Sequence, residues 1–270
     1  DPALWEVLEG DPAGEVSVLL RVRPRAAIPE GIRIVARFGH VVTARIRRGE
    51  LTAVRAHPAV ASLKAARAVS PDPAAGALET QHAALANATH VRDEATGRGV
   101  VLGVIDWGLD VTHPNFRRRD GRTRVVALWD QRARRQRSGP EPYGYGRAHT
   151  RTAIDRALAS PDPFAALDYD PADADHDGSG SHGTHVLDIA AGAPRVGPGG
   201  VAPGASLVFV HLASERSGPR SIGNSVSLLE AVDFVSRIAG DRPCVINMSL
   251  GSHAGPHDGS TLVEQALDAS

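Results

Sequence analysis

Three short stretches of this sequence hold residue types that can move a proton. His182 follows the Gly/Ser-rich turn Asp177-Gly-Ser-Gly-Ser-His182 and opens a segment whose apolar positions, Val186, Ile189 and Ala190, recur at helical spacing until Gly192 and Pro194 stop it. Histidine ordinarily titrates near working pH, so an imidazole on the first turn of a helix, among small neighbours, is a candidate general base. Asp106 ends the apolar run Val100-Val-Leu-Gly-Val-Ile105, and Ser249-Leu250-Gly251 ends another that starts at Cys244. A carboxylate beside an imidazole fixes its tautomer and stabilises the imidazolium formed when the ring takes a proton from a nucleophile. Spacing alone does not establish that the three stretches meet, and a lone histidine at a helix start is more often structural.

The elements that must position these residues follow from the pattern around them. Val100–Ile105, Ser206–Leu212 and Cys244–Leu250 are continuous apolar runs, as expected of strands buried on both faces. Helical patterns at Val186–Ala191 and Val226–Ile238 separate them, and another follows at Thr261–Leu267. This alternation predicts an α/β fold, a doubly wound parallel sheet with function collected at the carboxyl ends of its strands. Ahead of it, Glu15–Val22, Ile32–Phe38, Val41–Ile46 and Val60–Ala68 read as strands and Leu51–Ala56 as a short helix, a small N-terminal α+β domain after a polar lead-in. The predicted organisation is residues 1–72 for this domain, 73–80 for a Pro/Ala-rich linker and 81–270 for the α/β domain. Within the largely irregular 107–181 stretch, Val125–Asp130 reads as a strand and Thr150–Leu158 as a helix.

Composition narrows the class of protein. The 270 residues are 42% hydrophobic and 23% charged with a net charge of −1, the profile of a globular protein. No apolar run approaches the ~20 residues of a membrane span, and no signal peptide opens the sequence, which begins at Asp1; the compartment, cytoplasmic or secreted, is left open. Cys244 is the single cysteine, which excludes an intrachain disulfide, and its apolar run predicts a buried, inert thiol. Arginines crowd residues 117–156 while 161–190 hold only acids among their Asp, Glu, Lys and Arg residues. Without interleaved aromatics or a nucleic-acid motif, solvated faces that pair with one another explain these blocks better than a nucleic-acid partner.

The chemistry-bearing stretches resemble one family. Val104-Ile-Asp106-Trp-Gly108-Leu-Asp-Val-Thr-His113-Pro114 looks like the aspartate motif of the subtilisin-like serine proteases, and His182-Gly-Thr-His-Val186 is similar to their histidine motif. Gly200-Val-Ala-Pro-Gly-Ala-Ser206 and Val245-Ile-Asn-Met-Ser-Leu-Gly251 match two further blocks, in family order, over about residues 80–270. The chain order Asp then His is also that of subtilisin. The resemblance implies a serine endopeptidase with Asp106 as orienting carboxylate, His182 as base and a polypeptide as substrate. It also implies that Ser249, Leu250 and Gly251 form a backbone edge pairing with extended substrate, with Ile222, Gly223 and Asn224 on the opposite edge. No cofactor is required. Asp173-Ala-Asp-His-Asp-Gly178 opens like a calcium loop, but Thr184 stands where the closing Glu belongs, so a structural calcium is unsupported and no metal is expected.

Departures from the family pattern are specific. The family's nucleophile lies in a Gly-Thr-Ser block beyond the Ser249 segment, with an oxyanion Asn upstream of it, and residues 1–270 contain no such block. The chain is therefore expected to be inactive alone, and the alternative reading is a pseudoprotease that binds a peptide or partner. Trp107 stands where the family has Ser or Thr, and Leu187-Asp188 replaces Ala-Gly. Residues from about 117 to 176 form an insertion, expected to be solvated. The N-terminal domain resembles the family's inhibitory propeptide, clearest over Ile32–Pro71, but lacks the first helix between its strands; it is expected to be an intramolecular partner, and Pro71 and Pro73 make the linker a poor substrate.

Overall fold

The computed structural model describes residues 2–71, 96–133, 139–172, 182–197, 199–212, 223–251, 256 and 258–270. Its N-terminal part contains α1 (Pro2–Leu8), β1 (Glu15–Val22), β2 (Arg33–Phe38), β3 (Val41–Arg47), α2 (Leu51–Ala56) and β4 (Val60–Ala65). The four strands form an antiparallel sheet in the order β2-β3-β1-β4. Alternation, interrupted by an irregularity between Ile34 and Ala36 of β2, explains its two faces. Val16, Val18, Leu20 and Val22 point with Val42, Ala44 and Ile46 toward Leu4, Leu51 and Val54 of the short helices. Leu19, Val35, Phe38 and Val41 point the other way, into the core of the rest of the molecule. The polar lead-in is thus partly helical at α1, while no helix joins β1 to β2, as expected.

The second sheet contains β6 (Val101–Asp106), β7 (Val125–Asp130), β8 (Arg147–Thr150), β9 (Ser206–His211) and β11 (Cys244–Asn247), in the order β11-β6-β9-β7-β8. All its pairings are parallel except that of β8 with β7. Every residue of β6 is buried, and its side chains alternate between two cores. One face receives α3 (Arg151–Leu158), α4 (Pro163–Leu167) and α5 (His182–Ala191), packed around Leu102, Val104, Leu207 and Phe209. The other receives α6 (Ser225–Ala239) and α7 (Leu262–Asp268), with Val101, Ile105, Val208 and Val210. An Asn224 capping box starts α6 and a Thr261 capping box starts α7. Helices cover both faces of a mostly parallel sheet, the predicted α/β architecture. No helix among the described residues is long and apolar enough to cross a membrane.

Two expectations are corrected. Cys244 is exposed, not buried, and Val245 beside it is 57% exposed. Among the described residues their strand is the last of the sheet and pairs only with β6, which leaves these side chains uncovered. That run also breaks in two, because Asn247 Nδ2 donates to Ser249 Oγ at 2.9 Å before a separate strand, β12 (Leu250–Gly251), begins. The stretch 117–176, expected to be a solvated insertion, is not simply solvated. This stretch supplies β7, β8, α3 and α4, and Trp129, Ile154, Leu167 and Tyr169 are buried. Arg124 within it is also buried, donating to the carbonyls of Asn115, Ala191 and Ala205 at 3.0, 2.6 and 3.0 Å. Desolvation there pulls its guanidinium down to about 10. Arg147, by contrast, meets Asp168 at 3.0 Å in the basic-to-acidic pairing expected of exposed faces.

Candidate active site

Asp106 leaves the carboxyl end of β6, and α5 starts against it. His182 Nδ1 lies 2.8 Å from Asp106 Oδ1, with the carboxylate fully buried and the imidazole side chain 10% exposed. The Trp107 N–H donates to the same oxygen at 2.7 Å. With a carboxylate facing Nδ1, the network assigns the proton to that nitrogen and leaves the lone pair on Nε2. Nε2 is buried and has no partner, and neither has Asp106 Oδ2. Burial raises the Asp106 carboxyl above its ordinary value, and the His182 hydrogen bond, the His182 charge and the Trp107 N–H offset only part of that.

The residues after His182 explain how the helix reaches so close. The Gly183 N–H donates to the Trp107 carbonyl at 2.8 Å, and a Cβ on Gly183 would run into the Phe209 ring. Thr184 Oγ1 donates to the Gly108 carbonyl at 3.3 Å and accepts from the Asp110 N–H at 2.7 Å. Further along α5, Asp188 Oδ1 accepts from Asn115 Nδ2 at 2.8 Å. The helix is therefore fastened at two points to the one loop that follows Asp106, which accounts for Asp188 where a small residue was expected. Leu187, beside it, is absorbed into the core.

The same loop is supported from below. Tyr169 OH accepts from the Leu109 N–H at 2.9 Å and lies 3.1 Å from His211 Nδ1. His211, on β9 directly opposite Asp106, is pushed down to about 3 by burial and by Arg132, so it sits there neutral. None of Thr184, Asn115, Tyr169 and His211 carries a spacing signal that singles it out in the sequence.

The segments expected to edge a cleft lie on either side of one strand. β5 (Ala68–Pro71) lies between β10 (Gly223–Asn224) and β12 and is antiparallel to both. Gly223 pairs with Val69 and Asn224 with Ala68; Leu250 pairs with Pro71 and Gly251 with Ser70. Ser249 adjoins β12, and Ile222 lies outside the described residues, as does the acidic stretch at 173–178. The Asn224 side chain is engaged as the α6 cap, accepting from the Val226 and Ser227 N–H groups, so only its backbone faces β5. Arg67 and Ser225 extend the pairing, with N–H to Oγ at 3.0 Å and N–H to carbonyl at 2.8 Å. Among the described residues, no cluster of three or more His, Cys, Asp or Glu side chains could hold a metal.

A buried Asp–His pair at strand and helix ends, beside two edges that accept an extended strand, defines the chain by class. The subtilase family model matches residues 97–270, and the chain belongs to that family. Its sequence is 29% identical over 186 residues to the subtilisin-like protease PopC of Myxococcus xanthus, covering 68% of this chain and 30% of that protein. Its fold is similar to that of the Clostridium perfringens CspB protease, with a TM-score of 0.54 and 28% identity over 67% of this chain and 35% of that one. The chain thus spans about a third of the length of these relatives.

Proposed function

We propose that the complete protein is a serine endopeptidase in which Asp106 and His182 are two members of the triad and the nucleophile is a serine not among residues 1–270. The observation that carries this reading is the 2.8 Å contact of His182 Nδ1 with buried Asp106, which leaves a free Nε2. In the proposed reaction, the serine Oγ attacks the scissile carbonyl as its proton passes to His182 Nε2. The imidazolium, held by Asp106, then returns that proton to the leaving amine, and water hydrolyses the acyl-enzyme by the same route. A polypeptide substrate lies extended between β10 and β12, taking affinity from main-chain pairing. The N-terminal unit is an intramolecular inhibitor in this reading, because β5 already fills that place. Residues 1–270 alone are inactive.

Fluorophosphonate labelling tests the proposal. The full-length protein, with its N-terminal unit removed, should label at one serine, and His182→Ala should abolish labelling. Stoichiometric labelling of residues 1–270 would overturn the assignment of the nucleophile. A second reading, a module that binds peptides without cleaving them, draws on the cleft's being filled by the chain's own strand. Peptide binding by a full-length protein that never labels would favour it.

A further inference from the structure

The indole of Trp107 lies flat on the His182 imidazole, with ring centroids 4.1 Å apart and planes within 7°. Trp107 is only 8% exposed, yet it belongs to neither core that flanks the sheet; its apolar neighbour is Leu250, on the edge that pairs with β5. An aromatic side chain buried outside the cores and stacked on a histidine is poorly explained by core packing.

The hydrogen bonds at the corner leave a latitude that the stack narrows. The imidazole is tethered at Cβ and held by one Nδ1–H···O bond to Asp106, and the angular tolerance of that bond lets the ring plane tilt. The carboxylate is itself held through one oxygen, since Oδ2 has no partner. A flat ring in face-to-face contact fixes the plane, and with it the direction in which Nε2 points. The negative π face of the indole also lies against the ring that becomes positive on accepting a proton.

We propose that Trp107 is a positioning residue for His182, setting the plane of the imidazole by stacking and tying it through Leu250 to the strand-pairing edge. This inference rests on the reading of His182 as the base. Trp107 acts through the imidazole and transfers no proton itself.

The test is spectroscopic. In the full-length protein labelled with 15N-histidine, His182 should show one tautomer, protonated at Nδ1, with a low-field Nδ1 proton protected from exchange. Trp107→Phe, which keeps a flat ring, should retain that signature. Trp107→Leu, which keeps an apolar side chain without a π face, should lose the protected proton while the melting transition survives. Trp107→Ala should do the same; if it does not fold, the Phe and Leu variants still decide. A Leu variant with an unchanged His182 signature would overturn the proposal. A wild-type protein lacking the Nδ1 signature would instead overturn the reading of His182 as an Asp106-held base, and the positioning role with it.

Discussion

Two regions of this molecule bury charge, and they do so in opposite ways. Where the N-terminal sheet rests on α6, Arg45 reaches across to Glu230 with both nitrogens, at 2.8 and 2.9 Å, and both carboxylate oxygens are used. The pair is 11% and 0% exposed, and the Arg45 guanidinium lies 5.7 Å from the centre of the Tyr145 ring. At the Asp106–His182 corner each partner keeps one polar atom buried and unengaged. Buried polar groups are normally satisfied, so the fully paired Arg45 and Glu230 read as structure, whereas the open His182 Nε2 is the atom the proposed reaction uses.

The sharpest way to test that contrast is to remove one partner of each pair. Glu230→Ala leaves the Arg45 guanidinium buried without its carboxylate, and stability in urea should fall by about 3–5 kcal/mol, while Arg45→Met with Glu230→Leu should recover most of it. Thr184→Val strands the Asp110 N–H and should lower stability by about 1–3 kcal/mol, read from the same unfolding curves. Ser70→Pro takes an N–H from β5, the middle strand of its three, and should lose about 1 kcal/mol. Amide exchange at Leu250 and Gly251 should quicken in that variant while α6 stays protected; equal loosening of α6 would mean that the three-stranded sheet and α6 open as one unit.

Asp106→Asn should have the smallest effect and the opposite sign. Because burial raises the carboxyl of Asp106, whatever stability its titration contributes is present below the carboxylate's unfolded value and is lost as pH rises through the folded one. Asparagine keeps an acceptor at Oδ1 and carries no charge to desolvate. The variant should therefore be at least as stable as the parent at neutral pH, with the difference closing below about pH 4. Thermal melts across pH check this. A loss at neutral pH would show that the corner is structural after all.

The sequence was most informative where side-chain pattern and structure share a period. β1, β7 and α2 have the bounds their apolar spacing predicted, and the motif residues Asp106 and His182 meet. It was least informative where the backbone does the work. β5 pairs through main-chain groups in a Ser-Pro stretch that reads as the approach to a linker, and nothing in the side chains announces it. β11 shows the converse limit, since the apolar letters Cys244, Val245 and Ile246 predict burial while the first two are exposed. Arg45 and Glu230 stand 185 residues apart, and no local pattern couples them. α4 had a usable signal, an Asp162 cap followed by Pro163, that a reading centred on Gly and Pro as loop formers passes over.

The latch between Asp188 and Asn115 sets a mechanical tolerance for the corner. Thr184 and Asp188 are four residues apart on α5, so their two attachments to the Asp106 loop are about 6 Å apart along the helix axis. A pivot of about 10° about Thr184 would carry Asp188 roughly 1 Å, enough to break a 2.8 Å hydrogen bond. The helix and the loop are therefore tied at two points, and the two members of the dyad sit on one connected unit.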